Sequence, residues 1–181
     1  MLVAAGCGSI HRPPDLDTAE RAELTALRGR LASTTIRLVA NSGKESETHH
    51  YVEALHSSGF EAAAFDPAHL GVGPVATIED LSIGTRQDGF LTYLTMGLIP
   101  TIGGSDYAYR VDVARADGRL STATCEESQS WVFGWLGLPL AALPGWETFT
   151  SPYGPQYLFR RPGDRLALCV ARAVAAASLP K

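Results

Sequence analysis

The sequence predicts an α+β fold: a mixed sheet of four to six strands, with a βαβ-like first half, an antiparallel hairpin in the second half, and helices packed mainly on one face. Three observations carry this. A strand, helix, strand pattern fills about 31 residues from Thr35 to Phe65, the size of one βαβ unit. The apolar period then switches from 3.6 to 2 after Val75. Finally, a helical stripe returns after Asp164.

The elements follow in order. Leu24, Leu27 and Leu31 recur at helical spacing behind two N-cap candidates, Asp17 and Thr18, and predict a helix over 18–31. Thr35–Ala40 is β-branched and apolar and stops at Asn41-Ser42-Gly43, as a strand entering a loop does. Ser42 with Glu45 forms a capping-box pattern for a helix over 44–58, which carries Tyr51, Val52 and Leu55 on one side and ends at Gly59. Phe60–Phe65 alternates weakly as a second strand. Thr77–Thr85 alternates loosely, whereas Tyr107, Tyr109, Val111 and Val113 alternate cleanly with Ala108, Arg110, Asp112 and Ala114. Asp117-Gly118 is a hairpin turn, and Leu120–Cys125 is the return strand. In the last helix Leu166, Cys169, Val170, Ala173, Val174 and Ala177 form one stripe, expected to lie on the sheet.

With 181 residues, the chain is expected to divide into a short leader and tether over 1–16 and one globular domain over 17–181. A hydrophobic content of 45% with 19% charged residues excludes disorder. The net charge of −4, with no Lys/Arg cluster, excludes a nucleic-acid partner, because phosphate neutralisation needs a basic footprint. Gly8–Leu16 contains Pro13-Pro14 and is expected to run extended as the tether.

The most specific motif is Ala4-Ala5-Gly6-Cys7. Small residues immediately before a cysteine are what lipoprotein signal peptidases require, and Cys7 is the lipidation site that this implies. No positive charge and only Leu2–Ala5 of an apolar segment precede it, so the true start is expected further upstream. Buried acyl chains at about 0.8 kcal/mol per methylene would make the membrane a partner without a spanning helix. Gly8 after the cysteine, in place of Asp, points to the periplasmic face of the outer membrane. Setting Cys7 aside leaves Cys125 and Cys169, either a disulfide or two buried thiols.

Two stretches carry no charge, Gly89–Ser105 and Ser128–Trp146. The core of the second, Trp131–Leu143, is interrupted by Pro139; as a helix it would cover about 20 Å, short of the roughly 30 Å hydrocarbon core. Three readings stand: core packing, a homo-oligomer interface, or shallow insertion into a bilayer, the last two using Leu98, Ile99, Trp131, Trp135 and Leu138. The order from Thr77 to Trp146, with Thr95-Met96-Gly97-Leu98-Ile99-Pro100 as its best-matched string, resembles a layout recurrent among uncharacterised proteobacterial lipoproteins. That resemblance implies an envelope location without an activity. In topology the chain is also similar to small lipoprotein domains of envelope assemblies, such as exopolysaccharide-secretion lipoproteins.

Catalytic signals are poor, so the chain is expected to be a non-enzymatic accessory or assembly component of the envelope, with homo-oligomers or other envelope proteins as partners and with no cofactor. No GxSxG elbow occurs, and Gly103-Gly104-Ser105-Asp106 reads as a turn before a strand. Gly71-Val72-Gly73-Pro74 lacks the spacing and the lysine of a phosphate loop. Glu79-Asp80 and Glu126-Glu127 are adjacent in strands, where neighbours face opposite ways, and read as surface charge. Two alternatives remain. His49, Glu53 and His56 lie within about 60° of one another around their helix and are a candidate metal set, while His50 points to the opposite side. Tyr153, Tyr157 and Arg160, between prolines and glycines, are a candidate glycan contact.

Overall fold

The computed structural model describes residues 9–12, 16–69, 73–81, 84–87, 101–114, 118, 120–133, 147–149 and 163–178. Among them are eight strands and three helices: β1 Ser9–Arg12, α1 Thr18–Leu31, β2 Ile36–Ala40, α2 Glu45–Ser57, β3 Ala62–Ala64, β4 Val75–Asp80, β5 Gly84–Gln87, β6 Thr101–Ala114, β7 Leu120–Phe133, β8 Glu147–Phe149 and α3 Asp164–Ser178. The fold class is the α+β architecture expected, with more strands than the four to six predicted.

Contacts divide the chain into two compact units. One comprises 15–82, 108–127 and 162–181, and the other 1–14, 83–107 and 128–161; β6 and β7 contribute to both. In the first unit the strands run β3-β2-β4-β6-β7. β2 is parallel to β3 through α2, the βαβ element the sequence predicts, and also parallel to β4, which turns the sheet antiparallel at β6. The registers Leu38↔Ala76, Ala40↔Ile78, Ala76↔Val113 and Ile78↔Val111 align alternate residues into one apolar face. Ile36, Leu38, Ile78, Tyr109, Val111 and Val113 are at most 1% exposed.

The helices cover that face. Tyr51 of α2 meets Tyr109 edge-on, with centroids 6.3 Å apart. α1 and α2 both pack on α3, and their own outer sides stay polar. α3 is therefore more than the one-sided helix its stripe suggests: Ala167, Leu168, Ala171 and Ala175 are buried along with the six stripe residues. Between its ends, Asp164 and Ser178, this helix enclosed between two others and a sheet is exposed only at Arg172 and the small Ala176.

Asp17 caps α1 with a complete capping box, its carboxylate accepting from Glu20 N at 2.7 Å while Glu20 Oε2 accepts from Asp17 N at 2.9 Å. For α2 the expected Ser42 and Glu45 box is replaced. Lys44 is the N-cap, the Ser42 hydroxyl donates to Glu47, and Thr48 Oγ1 accepts from Ala40 N at 3.0 Å.

In the second unit the described strands run β8-β1-β7-β6, with β5 on β6. Here the sequence reading is corrected in three places. Ser9–Arg12, expected within the tether, is strand β1, paired antiparallel with β7 on one side and β8 on the other. Gly103–Asp106, expected as a turn, lies inside β6 opposite β5. The loose run Thr77–Thr85 is broken, with β4 ending at Asp80 and β5 starting at Gly84.

Candidate functional site

The cysteine pair is the clearest meeting of sequence-distant side chains in the first unit. β7 presents Ala123, Cys125 and Glu127 on its inner side, and α3 presents Cys169 toward it. Cys125 and Cys169 are joined as a disulfide, with Cα atoms 6.2 Å apart, inside the usual range for such a bridge. It staples helix to sheet, the arrangement that one of the two open readings describes.

The candidate metal set is not brought together. His49 Nε2 lies 3.5 Å from Glu45, one turn earlier, and Glu53 is exposed. His56 Nε2 is 2.7 Å from the Ala62 carbonyl, which can only accept, so that nitrogen carries the proton. The reason is axial: residues seven apart share a flank of the helix but stand about 10.5 Å apart along it. Among the described residues no three His, Cys, Asp or Glu side chains are placed to hold a metal ion. His56 instead forms part of a shallow, open concavity of about 360 Å³ with Gly59, Phe60, Glu61 and Ala62. His50, on the opposite side of α2, is 3% exposed.

Trp131 is corrected as a surface residue: it is 1% exposed and lies against Gly103. The registers Gln87↔Gly103, Trp131↔His11 and His11↔Glu147 therefore define one row across all five strands of the second unit. In β6 and β7, Asp106 accepts from the Ser128 hydroxyl at 2.6 Å; in the first unit, Asp112 accepts from the Thr122 hydroxyl at 2.5 Å. Six residues up one strand match six down the other, so the pairing is antiparallel and Thr101 falls opposite Phe133.

Sequence reasoning missed two buried polar side chains on β7. Glu127, read as surface charge, is 2% exposed, and Gln129 is 3% exposed. The signal was available in the alternation Cys125, Glu127, Gln129, Trp131, which puts both polar residues on the side of the cysteine and the tryptophan. Elsewhere, charges follow ordinary surface pairing: Arg110 with Glu79 at 3.3 Å, Arg172 with Glu23 at 2.6 Å, and Arg165 with Glu20 at 3.5 Å. The Arg172 guanidinium, hydrogen-bonded to Glu23, holds that carboxyl below its usual value, and Glu23 raises Arg172 in return.

Cys7, Leu98, Ile99, Trp135, Leu138, Tyr153, Tyr157 and Arg160 lie outside the described residues. No described helix is long and apolar enough to cross a membrane, which says nothing of strands.

No family model matches the chain, and no curated protein matches it. Among solved structures it is similar to a 2.35 Å crystal structure of a minor lipoprotein from Acinetobacter baumannii, at 14% identity and a TM-score of 0.37, over 83% of this chain and 99% of that one. A likeness that slight bears on neither the fold nor the activity of this chain.

Proposed function

We propose that the protein is a lipid-anchored component of the bacterial cell envelope, held at the periplasmic face of the outer membrane through Cys7, with an accessory or assembly role in place of catalysis. The carrying observation is Ala4-Ala5-Gly6-Cys7, small residues followed by the one cysteine outside the Cys125–Cys169 pair. The pair adds support, because a disulfide persists in oxidising compartments such as the periplasm. Envelope proteins or further copies of the chain are the partners this role requires.

The test is the mass of the Cys7 peptide from membranes of the native host. A cysteine carrying a diacylglyceryl thioether and an acylated amine is expected, and Cys7→Ser should move the protein to the soluble fraction. An unmodified Cys7 in membrane-derived protein overturns the assignment. Sedimentation of the anchorless chain separates a single copy from an oligomer.

A further inference from the structure

In the second unit β1 fills a slot between two strands that do not pair with each other. It is antiparallel to β7 through Ile10↔Val132, His11↔Trp131 and Arg12↔Ser130, and antiparallel to β8 through Ser9↔Phe149, Ile10↔Thr148 and His11↔Glu147. β7 and β8 are therefore parallel, and among the described strands β8 joins the sheet through β1 alone. On its β7 side the slot is interior: Trp131 and Val132 face opposite ways along the strand, yet each is 1% exposed. Left empty, it would hold backbone N–H and C=O groups along 130–132 away from both water and a ladder partner. Such groups are costly to bury unpaired, so a strand has to occupy the slot.

The strand that occupies it is remote in sequence from the rest of its unit. After Pro14 the chain belongs to the other unit from Asp15 to Ser82, and it returns to the second unit only at Ile83. Between Arg12 and Asp17, the cap of α1, stand only Pro13, Pro14, Asp15 and Leu16. X-Pro steps favour extended backbone over a reversal, and short hinges that resist folding back invite identical chains to exchange an element. The ladder bonds are the same whichever copy donates the strand, so the hinge and the protein concentration decide the donor. We propose that the slot between β7 and β8 is an assembly site for β1 of a second copy of this chain, giving a two-fold dimer in which each copy donates Ser9–Arg12 to the other. This names the partner in the assembly role proposed above and rests on that role, independently of the lipid.

The test uses the full chain with Cys7→Ser, so that neither an anchor nor that thiol takes part. One sample also carries Arg12→Cys and a second carries Ser130→Cys, at positions opposite each other in the register, Ser130 being exposed. The two are mixed at high concentration in mild urea, returned to buffer and oxidised. A covalent heterodimer is expected in about half of the protein, the statistical share when identical protomers pair at random, and either sample oxidised alone should give little. A mixture without heterodimer overturns the inference, as does a chain carrying both substitutions that closes its bond only within itself. A second measurement leaves the strands unaltered: the Cys7→Ser chain should sediment as a dimer. About six Gly and Ser residues inserted between Pro14 and Asp15 should weaken that dimer about tenfold, by letting β1 return to its own slot. A parent that sediments as a single copy overturns the inference, and so does a dimer that the insertion leaves unchanged, which puts the interface elsewhere. Failed exchange with lipidated Cys7 defeats this inference alone, whereas unmodified Cys7 defeats the anchor and leaves the exchange standing.

Discussion

The indole of Trp131 occupies the space above Gly103 where a side chain would otherwise stand. A Cβ built on Gly103 would come within 3.0 Å of three indole carbons, nearer than real Cβ atoms approach. Since Trp131 is 1% exposed, it has no solvent side to retreat into. Gly103 is thus required by a close approach, although glycine inside a strand otherwise weakens it.

Gly103→Ala is accordingly expected to destabilise the protein by about 1 to 3 kcal/mol, the usual range for overpacking. Urea unfolding followed by tryptophan fluorescence reads both the loss and the changed indole environment. A midpoint equal to that of the parent would remove the packing argument.

Removing the Cys125–Cys169 bridge frees a loop whose ends are 44 residues apart in sequence. On the chain-entropy model that corresponds to about 4 kcal/mol. Reductant, or Cys125→Ala with Cys169→Ala, should lower the unfolding free energy from urea titration by a similar amount, and reductant should have no further effect on the double variant.

Arg172 donates to both oxygens of Glu23, through Nε at 2.8 Å and Nη2 at 2.6 Å. Glu23 is held below its ordinary value of 4.5, chiefly by that hydrogen bond. The stability it gives is therefore present above the unfolded value and is lost as pH falls through the folded one. Both side chains are more than 40% exposed, so the contribution is that of a surface pair, about 0.2 to 1 kcal/mol. Glu23→Gln should flatten the acid limb of stability against pH below about 4.5 and leave neutral slopes unchanged.

Asp17→Ala removes the oxygen that accepts from Glu20 N and opens the capping box of α1. A loss of about 1 kcal/mol is expected. Asp17→Ser, which restores an accepting oxygen, should recover most of it in the same denaturation assay.

The buried hydroxyl of Ser58 donates to Asp164 Oδ1 at 2.6 Å, tying the end of α2 to the first residue of α3. Ser58→Ala should cost about 1.5 to 3 kcal/mol, as for a hydrogen bond to a charged group. Thermal unfolding at pH 7 checks it.

Where neighbours in sequence supply the forces, the sequence determined the element. The cap at Asp17, the leucine spacing of α1, the parallel unit around α2, the alternation through Val113 and the helix beginning at Asp164 all stand in the structure. Each depends on contacts within about a turn, a hairpin or one strand-helix-strand unit. Only the tertiary structure decided what depends on distant partners. Ser9–Arg12 has little strand signal of its own and is held by residues near 131 and 148. Gly103–Asp106 reads as a turn until Trp131 and β5 are placed beside it. Glu127 is an ordinary surface acid by type and becomes buried because its neighbours on that side of β7 are Cys125 and Gln129. His49 and His56 share an angle that sequence can compute, but their separation along the helix axis is what keeps them from one ligand.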